Sequence, residues 1–224
     1  MNTVKSSRRN GRGLASEAPA SRSRIAERNI AKIIAAAEEV IATAGFDGAT
    51  IDAIARRARI SKPNLHYYFR TKTDLHRAVL RNTLNVWTAS LARLDPAGDP
   101  RAELSAYIDE KLDMSMRNPT ASRVFANEIM RGAPLLEDYL KTELRAVVRE
   151  KARVLQRWIA EGRLRPVDPT HLIFLIWSAT QHYADFLPQV RAVLGVKDIS
   201  PARFEAIKAS LKDIILDGAL GPRD

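Results

Sequence analysis

The side chains best equipped for chemistry in this 224-residue chain crowd into one short stretch, where Lys62, Asn64, His66, Tyr67 and Tyr68 surround Pro63 and Leu65. They offer donors, acceptors and flat rings, but no nucleophile paired with a base. An Asn amide can pair with an adenine edge through two bonds, and a Lys ammonium reads guanine. Hydroxyls and ammonium groups also hold phosphate oxygens. Elsewhere there is no Gly-rich phosphate loop, no paired carboxylates and no Ser-His-Asp spacing. The chain has no cysteine, which excludes disulfides, thiolate zinc sites and thiol nucleophiles. His182 and Asp185 lie three apart, yet no third ligand stands near them, so neither a metal nor another cofactor is expected. An enzyme is not expected either.

These side chains need elements to position them. Thr50 is placed to cap a helix carrying Ile51, Ile54, Ala55 and Ala58 on one face. Ser61 caps a second helix, with Pro63 in its first turn where a missing N–H costs nothing. The second helix is too short to bury much. Two short helices joined by a tight turn, the second basic and aromatic, read as a helix-turn-helix offered to a DNA major groove. On that reading Lys62, Asn64 and His66 approach base edges, while Thr50, Tyr67, Tyr68 and Lys72 hold phosphates. Leu65 either touches a thymine methyl or packs inward. Tyr68 is as suited to wedging the short helix as to phosphate, and Phe69 is expected in the core.

Charge follows the same division. The formal net charge is +10, from 36 Lys and Arg against 26 Asp and Glu. Residues 1–72 hold 14 of the bases and 6 of the acids, as phosphate neutralisation requires. Residues 1–24 form a basic arm, with Gly11, Gly13 and Pro19 set against an amphipathic helix there. It either touches DNA or is inert disorder. The longest apolar run, Leu172 to Trp177, is far shorter than the ~20 residues of a membrane span, and a cytoplasmic location is expected.

The segment 49–76 resembles the DNA-binding domain of the TetR family of bacterial transcriptional regulators. Thr50, Ile54, Ala55, Ala58, Ile60, Ser61, Tyr68, Phe69, Lys72 and Leu75 fall on the family pattern. Arg59 stands where the family usually has Gly in the turn, a position strained by about 1 kcal/mol if φ is positive. The resemblance implies a homodimer on a palindromic operator of double-stranded DNA, two reading helices about one DNA turn apart. It also implies a larger helical domain that binds a small effector and dimerises.

No strand is called for anywhere, so the fold class expected is all-α: a three-helix DNA-binding domain over 25–72, then a helical ligand-binding and dimerisation domain over 73–218. Ile30, Ile33, Ile34, Ala37, Val40, Ile41 and Ala44 make one helical stripe ended by Gly45. A long helix is expected from Thr73 to about Leu94, then others at about 101–117, 120–131 and 135–163. An apolar helix opens at Asp168-Pro169 and runs to about Phe186, and a last one spans about Pro201 to Asp217. Lys141, Arg145, Arg149, Arg153 and Arg157 recur at intervals of four and read as a solvated face.

The run from His171 to Phe186, with Pro188 to Gly195 after it, resembles the RutR branch of that family, whose members respond to uracil and thymine. Trp177 and Gln181 share a helix face, four residues apart. A flat base with alternating carbonyls and N–H groups would find a stacking face on Trp177 and a donor beside an acceptor on Gln181. Trp87 could close the other face; spacing alone favours ordinary core aromatics for Trp87 and Trp177, and it is the resemblance that implies the ligand contact. The helices 169–186 and 201–217 are the expected dimer surface, with Ile173, Ile176, Ala179, Ile207, Leu211, Ile214 and Ile215 serving either that surface or the chain's own core.

Overall fold

The computed structural model describes residues 19–220, and every regular element among them is helical. The basic arm up to residue 18 lies outside the described residues. Helix α1 spans Pro19–Gly48, so the expected arm ends earlier than residue 24. Pro19 opens the helix, where proline is tolerated, and does not break it. Gly45, with φ 69° and ψ 172°, interrupts α1 near its end.

The next helices, α2 (Ile51–Ala58) and α3 (Lys62–Tyr68), are capped as their sequences dictate. Thr50 Oγ1 accepts from Ala53 N at 3.1 Å, and Ser61 Oγ accepts from Asn64 N at 3.3 Å. The turn between them closes when Arg59 enters the left-handed region at φ 57°, ψ 45°. Its N–H donates to the Arg56 carbonyl and the Ile60 N–H to the Ala55 carbonyl, both at 3.1 Å. That is the bond pattern of a left-handed helix end usually given to glycine.

Helix α4 (Lys72–Ala92) leaves this head and enters the larger domain. After it come α5 (Pro100–Arg117), α6 (Pro119–Met130), α7 (Glu137–Tyr139), α8 (Arg145–Ala160), α9 (Pro169–Asp185), α10 (Leu187–Leu194) and α11 (Pro201–Leu220). The helix expected over 135–163 runs from Glu137 to Ala160 and contains a π-helical turn at Leu140–Leu144. Residues 187–194, for which no element was expected, form a helix of their own.

Two apolar cores hold these elements. One joins Ile33, Ala37 and Ile41 of α1 to Ile54, Leu65, Leu75 and Val79, and extends to Val124 and Tyr139. The other gathers Leu104, Ile108 and Leu112 of α5 with Leu155, Trp158, Ile173, Ile176 and Ile215. The first runs without a break from the helix-turn-helix onto α4 and α6.

Candidate DNA interface and effector cleft

The short helix α3 divides its residues between two environments. Lys62, Asn64 and His66 are exposed, and Tyr67 is 81% exposed. Tyr67 stands edge-on to Tyr68, ring centroids 5.0 Å apart. Tyr68 turns inward, packs on the head's core and accepts a hydrogen bond from Asn29 Nδ2 at 3.1 Å. Phe69 is half-buried against the same core. Leu65 is fully buried, so the thymine contact considered for it is ruled out: its side chain anchors α3.

Two cations have local partners. Lys62 Nζ lies 3.1 Å from Asp52 on α2, and Arg57 pairs with Glu39 on α1. Lys72 is a clearer departure from the expected phosphate contact. Its Nζ donates to the carbonyls of Phe46 (2.8 Å), Asp47 (3.3 Å) and Ala49 (3.0 Å) and sits over the Phe46 ring. All three donors of the ammonium are thus used to fasten α4 to the end of α1. Arg56, Arg59 and Arg70 are exposed on the head and add to its positive surface.

In the larger domain Trp87 of α4 and both Trp177 and Gln181 of α9 line one cleft, together with Lys111, Phe125 and Leu144. Phe125 of α6 meets Trp87 edge-on at 5.0 Å. The Trp177 indole N–H donates to Tyr107 Oη at 2.6 Å, which fixes the plane of its ring. Leu144 reaches the cleft from the π-helical turn; such turns recur at functional positions. The cleft measures about 40 Å³, room for a few waters, so a six-membered ring enters only as the side chains part.

Lys111 was not among the residues expected here, yet it has the most unusual setting. It is 3% exposed, with Nζ 4.4 Å from the Trp87 ring centroid. Burial pushes its pKa down to about 8, against the opposing attraction of Asp185. Asp185 is itself held above the usual carboxylate range by burial and accepts a hydrogen bond from the Ser122 hydroxyl. A sequence signal for Lys111 did exist: it follows Leu104 and Ile108 on the inner face of α5 and precedes buried Ser115, a cation in a core stripe.

The outer faces of α9 and α11 revise the expected dimer surface. Ile173, Ile176 and Ile215 are buried in the chain's own core. The large apolar side chains left open are Phe174 (49%), Leu175 (51%) and Ile214 (68%). Phe186 beyond α9 is also exposed and stacks on His182.

Two family models divide the chain. "Bacterial regulatory proteins, tetR family" matches residues 33–79, and "YcdC-like protein, C-terminal region" matches residues 80–222. The chain belongs to the TetR family. A TetR-family regulator binds DNA and answers to a small molecule, and is not an enzyme. The HTH-type transcriptional regulator RutR of Escherichia coli (strain K12) is 42% identical over 197 residues, covering 88% of this chain and 93% of RutR. Among solved structures, the putative transcriptional regulator SCO4942 from Streptomyces coelicolor is similar, with a TM-score of 0.68 and 28% identity. That match covers 85% of this chain and 98% of the other. AibR, solved with isovaleryl coenzyme A and operator DNA, shares the fold at a TM-score of 0.63 and 17% identity, over 87% of this chain and 100% of AibR. No helix among the described residues is long and apolar enough to cross a membrane.

Proposed function

We propose that this TetR-family regulator is a homodimeric repressor that binds a palindromic operator and is released by a pyrimidine base, uracil or thymine. The observation that carries the effector reading is the meeting of Trp87, Trp177 and Gln181, from distant parts of the sequence, around one cleft. Two indole faces suit a flat ring, and a primary amide matches its alternating donors and acceptors. The 42% identity to RutR runs through both domains and supports the same reading.

Operator contacts are assigned to the exposed edge of the head. Lys62, Asn64 and His66 face bases, and Thr50, Tyr67 and the edge of Tyr68 face the backbone. Dimerisation is assigned to the Phe174, Leu175 and Ile214 face, where α9 and α11 would form a four-helix bundle with their copies.

The cleft's small size supplies the coupling. A ring inserted between Trp87 and Trp177 pushes α4 away from α9. The other end of α4 is fastened to α1 through Lys72, so the head turns with it and the spacing of the two reading helices changes. A ligand shifts operator affinity only by its preference for one form over the other, typically ~1–3 kcal/mol, or about 5- to 150-fold.

Calorimetric titration with uracil, thymine and cytosine tests the effector. Micromolar or tighter binding of one uracil or thymine per subunit, with cytosine weaker, is expected. Absence of heat with every base at two temperatures would remove the pyrimidine reading and leave the DNA-binding assignment standing.

A further inference from the structure

We infer that Lys111 makes the cleft selective for ring imides, heterocycles with an N–H between two carbonyls, and holds them as the N-deprotonated anion. The inference rests on the reading of the cleft as the effector site and names the chemical form that binds there.

The argument begins from an incomplete set of contacts. The Lys111 ammonium is almost fully buried, lies over the Trp87 ring and makes no hydrogen bond to any described residue. A cation in such a place is costly unless something pairs with it. The carboxylate whose charge opposes this burial, Asp185, is engaged by Ser122. The cleft's other polar groups do not fill the gap. The Trp177 N–H is committed to Tyr107 and the Thr88 hydroxyl to the Leu84 carbonyl, and Gln181 offers only a neutral amide. The cleft therefore has a cation, an amide edge and two aromatic faces, and lacks an anion that touches the cation.

A ring imide supplies one. Loss of its N–H proton to bulk solvent leaves the electron pair on the ring, spread over nitrogen and the two flanking carbonyl oxygens. Lys111 keeps its proton and donates to one of those oxygens in a charge-assisted bond. Gln181 matches the neighbouring edge. Cytosine has no such N–H between two carbonyls, and its amino group would set a donor against the ammonium.

Calorimetry at pH 7 in two buffers of different ionisation enthalpy counts the protons. Uracil is expected to release about one per subunit, and its affinity to rise about tenfold per pH unit from pH 6 until Lys111 itself titrates near 8. With its more acidic N–H, 5-fluorouracil should bind about tenfold tighter than uracil at pH 7, whereas 3-methyluracil, which has no such proton to lose, should fail. Lys111→Met should abolish both proton release and the fluorouracil advantage; its unchanged melting cooperativity shows that the fold is kept. Uracil bound without proton release, or with equal affinity for its fluoro analogue, overturns the inference while leaving the pyrimidine reading intact. Hydantoin, an imide on a five-membered ring, separates the two the other way: its binding with proton release when no pyrimidine binds supports the inference against that reading. Failure of every imide overturns the inference.

Discussion

Arg59 shows how a single residue can carry local strain at a functional turn. Its left-handed backbone costs an L-residue about 1–2 kcal/mol, a penalty glycine avoids. Arg59→Gly is expected to raise unfolding stability by about 1 kcal/mol, read as a higher denaturant midpoint at unchanged slope. Lys111 is the second strained residue, and its cost is electrostatic. Its pKa is lower in the folded chain, about 8, than in the unfolded one, so at neutral pH the buried charge weakens the fold. Stability from this group is complete above its unfolded value near 10.5 and lost as pH falls through 8. Lys111→Met should therefore melt higher than the parent at pH 7, by an amount on the order of a few kcal/mol, with the gap narrowing between pH 8 and 10.5. A stabilised variant that no longer senses its effector is the expected compromise of a functional site.

Among the elements, the joint between α1, α4 and α6 is where head and effector domain meet. His76 of α4 is buried there, stacked on Phe46 at 4.8 Å, with neither ring nitrogen hydrogen-bonded. Burial holds its pKa below the usual 6.5; Glu128 of α6 opposes that shift, and Arg131 and Lys72 add to it. The folded chain thus prefers the neutral ring, and its contribution is present above pH 6.5 and lost as pH falls through the lower folded value. Melting temperature measured from pH 8 to 5 should fall more steeply for the parent than for His76→Phe, which keeps the stack and cannot titrate. Parallel curves would show that other groups govern the acid limb. The expected arm boundary missed the start of α1, and the π-helical turn inside the expected 135–163 helix was not foreseen. Proline opens a helix as readily as it ends one, and a π-helical turn leaves no mark in apolar periodicity.

For the whole molecule, two predictions concern assembly and communication. Phe174→Glu with Leu175→Glu puts charges on the open apolar face of α9. The pair should yield monomers by sedimentation equilibrium and lose operator binding, because one head covers half a site. A variant that stays dimeric would place the interface elsewhere. Gln181→Ala should weaken effector binding at least tenfold, the cost of about 1.4 kcal/mol for a lost buried hydrogen-bonding group. Operator affinity without effector should stay unchanged, since Gln181 is far in sequence and element from the head; equal loss of both would argue against a sensing role.

Helix identity, the caps at Thr50 and Ser61, the turn at Arg59 and the exposure of Lys62, Asn64 and His66 on α3 were all legible in the sequence, because each depends on bonds within a turn or two of chain. The meeting of Trp87 with Trp177 and Gln181 was reachable through resemblance alone, since spacing could not bring two helices together. Tertiary structure decided which face of each helix meets its own chain. Leu65 turns inward while Tyr67 turns out. The ammonium of Lys72 closes the end of α1 and is withheld from phosphate. Ile173 and Ile176 fill the core, Phe174 and Leu175 stay exposed, and Lys111 lines a cleft with no hydrogen-bonded anion among the described residues. Periodicity marks an apolar face and a polar one, but burial, pairing and the resulting pKa depend on side chains brought in from elsewhere in the chain, and only packing determines which those are.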